Sequence, residues 1–225
     1  MIARILAVYA LLFLAAAQAA PVDTLTGEWT DNGRGNRVVP YKIYVAPAAQ
    51  GAPVVVFSHG LGGNRDGAVY LLTHLAEHGY IAVAVQHAGS DTPAVFSGGA
   101  MNQSGMRNAI SASAAADRFG DIPFALDELA KMNVNDARLS GRMDLSRIGM
   151  SGHSYGAITT MALSGQGFGP GGNLSFDDSR IKAAIAYSPS KPRQGDPAQA
   201  LTGVRLPMFH MTGTNDQNPL DPSEP

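Results

Sequence analysis

Short apolar runs rich in β-branched residues recur along this chain, and stretches with helical spacing separate them. That alternation constrains the fold more than any other feature. Pro53 to Phe57 is a continuous apolar run, as expected for a strand covered on both faces. Asp66 to His78 carries apolar residues at Val69, Leu72 and Ala76 and closes at Gly79, which reads as a helix with a C-terminal glycine. Tyr80 to Val85, Arg147 to Ser151, Ile181 to Tyr187 and Leu206 to Met211 read as further strands. Gly120 to Met132 reads as a helix capped by Asp121, with Pro123 in its first turn, and Tyr155 to Leu163 as another helix. Before them, Leu25 to Thr30 and Arg37 to Val45 read as two strands around the turn-rich segment 31–36. Residues 90–116 lose periodicity and read as a long loop. The expectation is an α/β fold with a mostly parallel sheet and helices on both faces. In such a sheet the chemistry sits beyond the C-terminal strand ends.

Three strand ends carry suggestive residues. Gly152-His153-Ser154-Tyr155-Gly156 follows one strand and opens a helix. The two glycines permit a sharp turn that raises Ser154 out of the backbone in a strained conformation, as a nucleophile requires. Ser58-His59-Gly60-Leu61-Gly62-Gly63 follows the Pro53–Phe57 strand. Acyl transfer places negative charge on a carbonyl oxygen, which needs two facing N–H donors. Those of Leu61 and Tyr155 are the candidates for this oxyanion hole. His59 reads as a brace for its loop and His153 as packing. Thr212-Gly213-Thr214-Asn215-Asp216 follows the Leu206–Met211 strand, and Asp216 is the candidate acid of a catalytic triad. Asp221 and Glu224 lie in a proline-rich tail and are weaker candidates, and Ser188-Pro189-Ser190 offers no carboxylate.

These motifs, in this order, resemble the α/β-hydrolase superfamily. Phe57-Ser58-His59-Gly60-Leu61-Gly62-Gly63, Ala76-Glu77-His78-Gly79-Tyr80, Gln86-His87-Ala88-Gly89-Ser90-Asp91 and Gly149-Met150-Ser151-Gly152-His153-Ser154-Tyr155-Gly156 are similar to dienelactone hydrolases grouped with platelet-activating-factor acetylhydrolases. The resemblance runs from about Trp29 to Asp216. It implies hydrolysis of a small-molecule carboxylic ester (an EC 3.1.1-like reaction) through an acyl-Ser154 intermediate, with no metal and no cofactor. Dienelactone hydrolases use a cysteine nucleophile. This chain has no cysteine, so its chemistry follows the serine branch. The acetylhydrolases carry their acid after an earlier strand, where this chain has Ser188 and Pro189. Phospholipid specificity therefore does not follow from the resemblance.

A triad also needs a histidine, to take the serine proton and return it to the leaving group. The six histidines are His59, His74, His78, His87, His153 and His210, and none follows Asp216. His210 lies inside a strand. The expectation is a catalytic histidine absent from this chain, a C-terminally incomplete domain over 20–225 lacking its last strand and helix, and hence an inactive fragment of an esterase. Two alternatives stand beside it: a serine peptidase on the same fold, and a binding module that keeps the pocket without the base.

The N-terminus carries Arg4, an apolar run from Ile5 to Ala17 and then Ala17-Gln18-Ala19. Residues 1–19 thus read as a signal peptide cleaved near Ala19, with a run too short to span a bilayer. Without cysteine there is no lipid attachment point, so no stable membrane anchor is expected. Export without disulfides suits a bacterial periplasm or the medium. A formal net charge of −2 gives no basic field for nucleic acid.

Overall fold

The computed structural model describes residues 21–192 and 196–216. The predicted signal peptide, and Asp221 and Glu224, lie outside the described residues. Strands β1 (Asp23–Asp31) and β2 (Arg37–Val45) form an antiparallel hairpin around a 3-10 turn at Asn32–Arg34. Asp31 caps that turn by accepting from the Gly33 amide at 3.0 Å. Inside the hairpin Trp29 stacks on Tyr41 with ring centroids 3.9 Å apart. There follow β3 (Ala52–Ser58), α1 (Val69–Glu77) and β4 (Ile81–Val85). Next come α2 (Thr92–Val95), a short hairpin of β5 (Phe96–Ser97) and β6 (Ala100–Met101), α3 (Gln103–Ala109) and α4 (Ala112–Asn135). The chain continues through β7 (Met143–His153), α5 (Tyr155–Leu163), β8 (Ile181–Tyr187), α6 (Pro197–Ala200) and β9 (Met208–Met211).

The main sheet runs β1-β2-β4-β3-β7-β8-β9. Strands β4, β3, β7, β8 and β9 are mutually parallel, and β1 and β2 are antiparallel additions at one edge. The parallel strands are the apolar runs of the sequence. Val54, Val56, Ile81, Val83 and Val85 are fully or almost fully buried, as strands with helices on both faces must be. The larger core cluster joins them to Phe119, Ile122, Leu126 and Leu129 of α4. A smaller cluster packs Leu72 and Ala76 of α1 against Phe57, Ala82 and Ala84 on the opposite face.

Two expectations are corrected. Residues 90–116 are not one loop but hold α2, the β5–β6 hairpin, α3 and the first turn of α4. Asn102 caps α3 by accepting from Gly105, and Ser111 caps α4 by accepting from Ala114. Asp121 is therefore no cap. It lies inside α4, fully buried, and Pro123 lies inside the helix too rather than in its first turn.

Candidate active site

Parallel pairing brings the C-terminal ends of β3, β4, β7, β8 and β9 to one edge of the sheet. Ser58 pairs with Gly152, His153 with Tyr187, and Tyr187 with Met211. Ser154 follows β7 directly, with φ 54° and ψ −115°, in the left-handed region where a non-glycine side chain is strained. Its amide donates to the Tyr187 carbonyl at 2.9 Å, which ties the turn to β8. The flanking glycines are needed sterically. A Cβ on Gly152 would fall 2.2 Å from the Gly156 carbonyl oxygen, and one on Gly156 would fall 1.9 Å from the Ser58 carbonyl oxygen. The second contact lets the start of α5 press against the end of β3.

That loop places Gly60 beside the nucleophile, since a Cβ there would stand 3.6 Å from the Ser154 Cβ. The Gly60 carbonyl is held from two sides, by His59 Nδ1 at 2.7 Å and by the Gly63 amide at 3.0 Å. In a trans peptide the N–H points opposite to the C=O. Pinning the Gly60 carbonyl therefore aims the Leu61 N–H away from His59. Neither the Leu61 amide nor the Tyr155 amide has an acceptor among the described residues. Tyr155 is the first residue of α5, where a free N–H and the positive end of the helix dipole coincide.

His59 braces the loop from a buried position. Its Nε2 accepts from the His87 amide at 3.0 Å and its Nδ1 donates to Gly60, so the ring is neutral with both nitrogens engaged. Burial, and then the charge of Arg118, hold its pKa well below the ordinary histidine value. The segment Gln86–Asp91 after β4 supports the same loop. Ser90 offers its carbonyl to the Gly62 amide at 2.9 Å, and Thr92 Oγ1 donates to the Gly62 carbonyl at 2.8 Å.

Asp216 lies beyond β9 at the same edge. Its Oδ2 accepts from Thr212 Oγ1 at 2.9 Å. Hydrogen bonding from Ser188 and then Thr212 holds its carboxyl below the usual carboxylate range, and His153 contributes a smaller electrostatic pull. His153 is exposed and lines the groove with Ser154, so it is not the packing residue the sequence suggested. His210 is exposed on β9. Among the described residues no histidine is hydrogen-bonded to Ser154 Oγ.

Ser154, Leu61 and Tyr155 line one groove of about 1740 Å³, walled largely by apolar side chains including Leu71, Phe96, Met106, Ile158 and Phe176. One group of metal-ligating type occurs among the described residues. It comprises His74, Glu77 and His78, exposed at the C-terminal end of α1 and not in the lining of this groove.

Sequence reasoning missed a buried polar cluster beneath the β3 loop. Arg118, Asp121, His87 and Ser58 are all fully buried there. His87 bridges Ser58 Oγ and Asp121 Oδ2, both at 3.0 Å. This is a Ser–His–Asp chain, but one closed to solvent and so to substrate. Asp121 also accepts from Arg34 and Arg37 at 2.7 to 2.9 Å. Burial alone would raise its pKa, but the hydrogen bonds from Arg37 and His87 outweigh that and bring it to about 2. Burial and the nearby Arg118 lower His87 to about 4, which leaves it neutral. The only signal in the sequence was the string Gln86 to Asp91, whose histidine carries no spacing rule.

Comparison with known proteins bears on the fold and the kind of protein this chain resembles. The profile of the platelet-activating factor acetylhydrolase isoform II family matches residues 38–111. A platelet-activating factor acetylhydrolase from Cavia porcellus is 27% identical over a 166-residue alignment that covers 61% of this chain and 35% of that one. The chain thus spans about a third of the length of that curated relative. A ferulic acid esterase from Streptomyces cinnamoneus superposes with a TM-score of 0.64 at 21% identity, over 92% of this chain and 69% of the other. A protein described as a dienelactone hydrolase from Klebsiella pneumoniae gives a TM-score of 0.59 at 16% identity, over 84% and 72%. The chain has the α/β-hydrolase fold, and it resembles esterase-type hydrolases in sequence and architecture.

Proposed function

We propose that this protein is an exported serine hydrolase that cleaves carboxylic esters through an acyl-Ser154 intermediate. The observation that carries the reading is the strained Ser154 at the N-terminus of α5, facing a loop whose Leu61 amide has no acceptor among the described residues and whose geometry is pinned from behind. Ser154 Oγ attacks the ester carbonyl carbon. The carbonyl electron pair moves onto oxygen, where the Leu61 and Tyr155 N–H groups hold the negative charge. Collapse expels the alcohol with the serine proton, and water then releases the acid and regenerates Ser154. Asp216, beside Ser188 and Thr212, is the acid that would orient a general base. The apolar groove favours esters with a hydrophobic acyl or aryl part.

A fluorophosphonate probe tests this reading. Applied to the full-length protein, with a general base in place, it should label Ser154, and Ser154→Ala should abolish both labelling and p-nitrophenyl butyrate hydrolysis while the fold persists. Hydrolysis by Ser154→Ala near the wild-type rate would overturn the assignment. The lack of a histidine bonded to Ser154 Oγ among the described residues favours a second reading, a module that binds esters without cleaving them. Ester binding without probe labelling would select it.

A further inference from the structure

Arg118 is fully buried in α4, and among the described residues no carboxylate lies within ion-pair distance of it. Its guanidinium is held by neutral oxygens instead. Nε donates to Thr159 Oγ1 at 2.7 Å, Nη1 to Ser90 Oγ at 2.8 Å, and Nη2 to Ser58 Oγ at 2.9 Å and to the His59 carbonyl. The guanidinium also lies over the Tyr155 ring, 4.6 Å from its centroid. These partners come from β3 and its loop, the loop after β4, and α5. The two amides of the oxyanion hole come from the β3 loop and from α5. A buried cation without a directly paired carboxylate among the described residues is expensive in an apolar interior, and polar oxygens with the longer-range pull of Asp121 and Asp91 only partly offset that cost. Burial accordingly lowers the pKa of Arg118 to about 9.

We infer that Arg118 is a positioning residue for the oxyanion hole. It fixes the His59 carbonyl, joins the β3 loop to α5, and sets a positive charge behind the two elements whose amides face the ester oxygen. The inference rests on the ester-hydrolase reading. It adds a source of transition-state stabilisation that the two amides alone would not supply. A negative charge that develops only in the transition state is attracted by this cation most at that moment, so the effect belongs in kcat rather than KM.

The test compares p-nitrophenyl butyrate with its thiono analogue, in which a sulfur replaces the carbonyl oxygen. Sulfur is a poor acceptor for the hole, so the ratio of oxo-ester to thiono-ester turnover reports the hole itself. Arg118→Met should lower kcat on the oxo ester by about 10- to 100-fold, with KM within about twofold. The thiono rate should change much less, so the ratio falls. Arg118→Lys, which keeps a charge without the fork of donors, should recover part of the ratio. If Arg118→Met fails to fold, Thr159→Val carries the test, since it removes the Nε acceptor and keeps the side-chain shape. It should lower the ratio by a smaller factor. An unchanged ratio, with both substrates slowed equally, reduces Arg118 to a structural residue and overturns the inference alone. Full-length wild-type protein without Ser154-dependent turnover overturns the inference together with the ester-hydrolase reading.

Discussion

Ser154 adopts φ 54°, a conformation that costs about 1–3 kcal/mol for a residue with a side chain. Glycine would occupy it without that strain. Ser154→Gly is therefore expected to lose all ester turnover yet melt higher than wild type, by about 2–4 °C per kcal/mol relieved. Ser154→Ala should lose turnover without that gain. Differential scanning calorimetry of the two variants decides the matter, and equal melting temperatures would mean that the turn stores no strain. Ser154 was legible in the sequence because two glycines at fixed offsets describe a turn. Arg118 was not. Charged residues in an alanine-rich helix usually face solvent, and its acceptors come from segments about 30 to 60 residues away, which no spacing rule connects.

At the level of elements, the packing of α5 on β3 depends on Gly156. A methyl group there would meet backbone rather than a flexible side chain, so the loop or the helix must move. Gly156→Ala should destabilise the protein by about 3 kcal/mol or more and reduce probe labelling at Ser154, as read by urea denaturation and labelling rate. Labelling and stability both at wild-type levels would show that the two elements are not in this contact. The strands and α1 were legible because buried parallel strands and an amphipathic helix leave strong periods, whereas α5, buried on most of its surface, was legible from its place after the Ser154 turn. The segment 90–116 was not, because small polar residues hide short helices. Gly105 there lets α3 approach α2, since a Cβ would fall 2.0 Å from the Ala94 carbonyl oxygen. Such close approach leaves no trace in a hydropathy pattern. His153 was misjudged for a related reason: its neighbour in the turn faces the groove, and the tight bend turns both residues to that side.

Over the whole molecule, the buried histidines couple stability to pH. His87 has a folded pKa of about 4 against 6.5 when exposed, so between those values the unfolded chain binds the extra proton. The stabilisation is complete above pH 6.5 and is lost as pH falls through 4, a change on the order of 3 kcal/mol. His59, lowered in the same direction, adds to it. Urea midpoints at pH 7.5, 5.5 and 4.5 should fall in that order, and His87→Gln should flatten the trend. A midpoint independent of pH in wild type would contradict neutral, buried rings. Export is a separate proposal. Among the described residues no helix is long and apolar enough to cross a membrane. Expression in a bacterial host should yield protein beginning at Ala20 or Pro21, and intact Met1 in the exported fraction would count against it.

The cluster under the β3 loop admits only one arrangement of its protons. Arg118 can only give, the backbone carbonyls and the ionised Asp121 can only receive, and so each group between them has its role imposed. Ser58 must pass its hydrogen to His87, His87 must carry its own toward Asp121, and His59 must point its hydrogen at Gly60. In ordinary ice the hydrogens choose among many equivalent patterns and keep a residual entropy at low temperature. This network behaves as a proton-ordered crystal would, with no second pattern to hop to. The Gly60–Leu61 peptide is thus set before any ester arrives, and removing one hydroxyl, as in Ser58→Ala, would leave His87 Nε2 without its donor and Arg118 Nη2 with one acceptor fewer, while Asp121 still fixes the tautomer of His87.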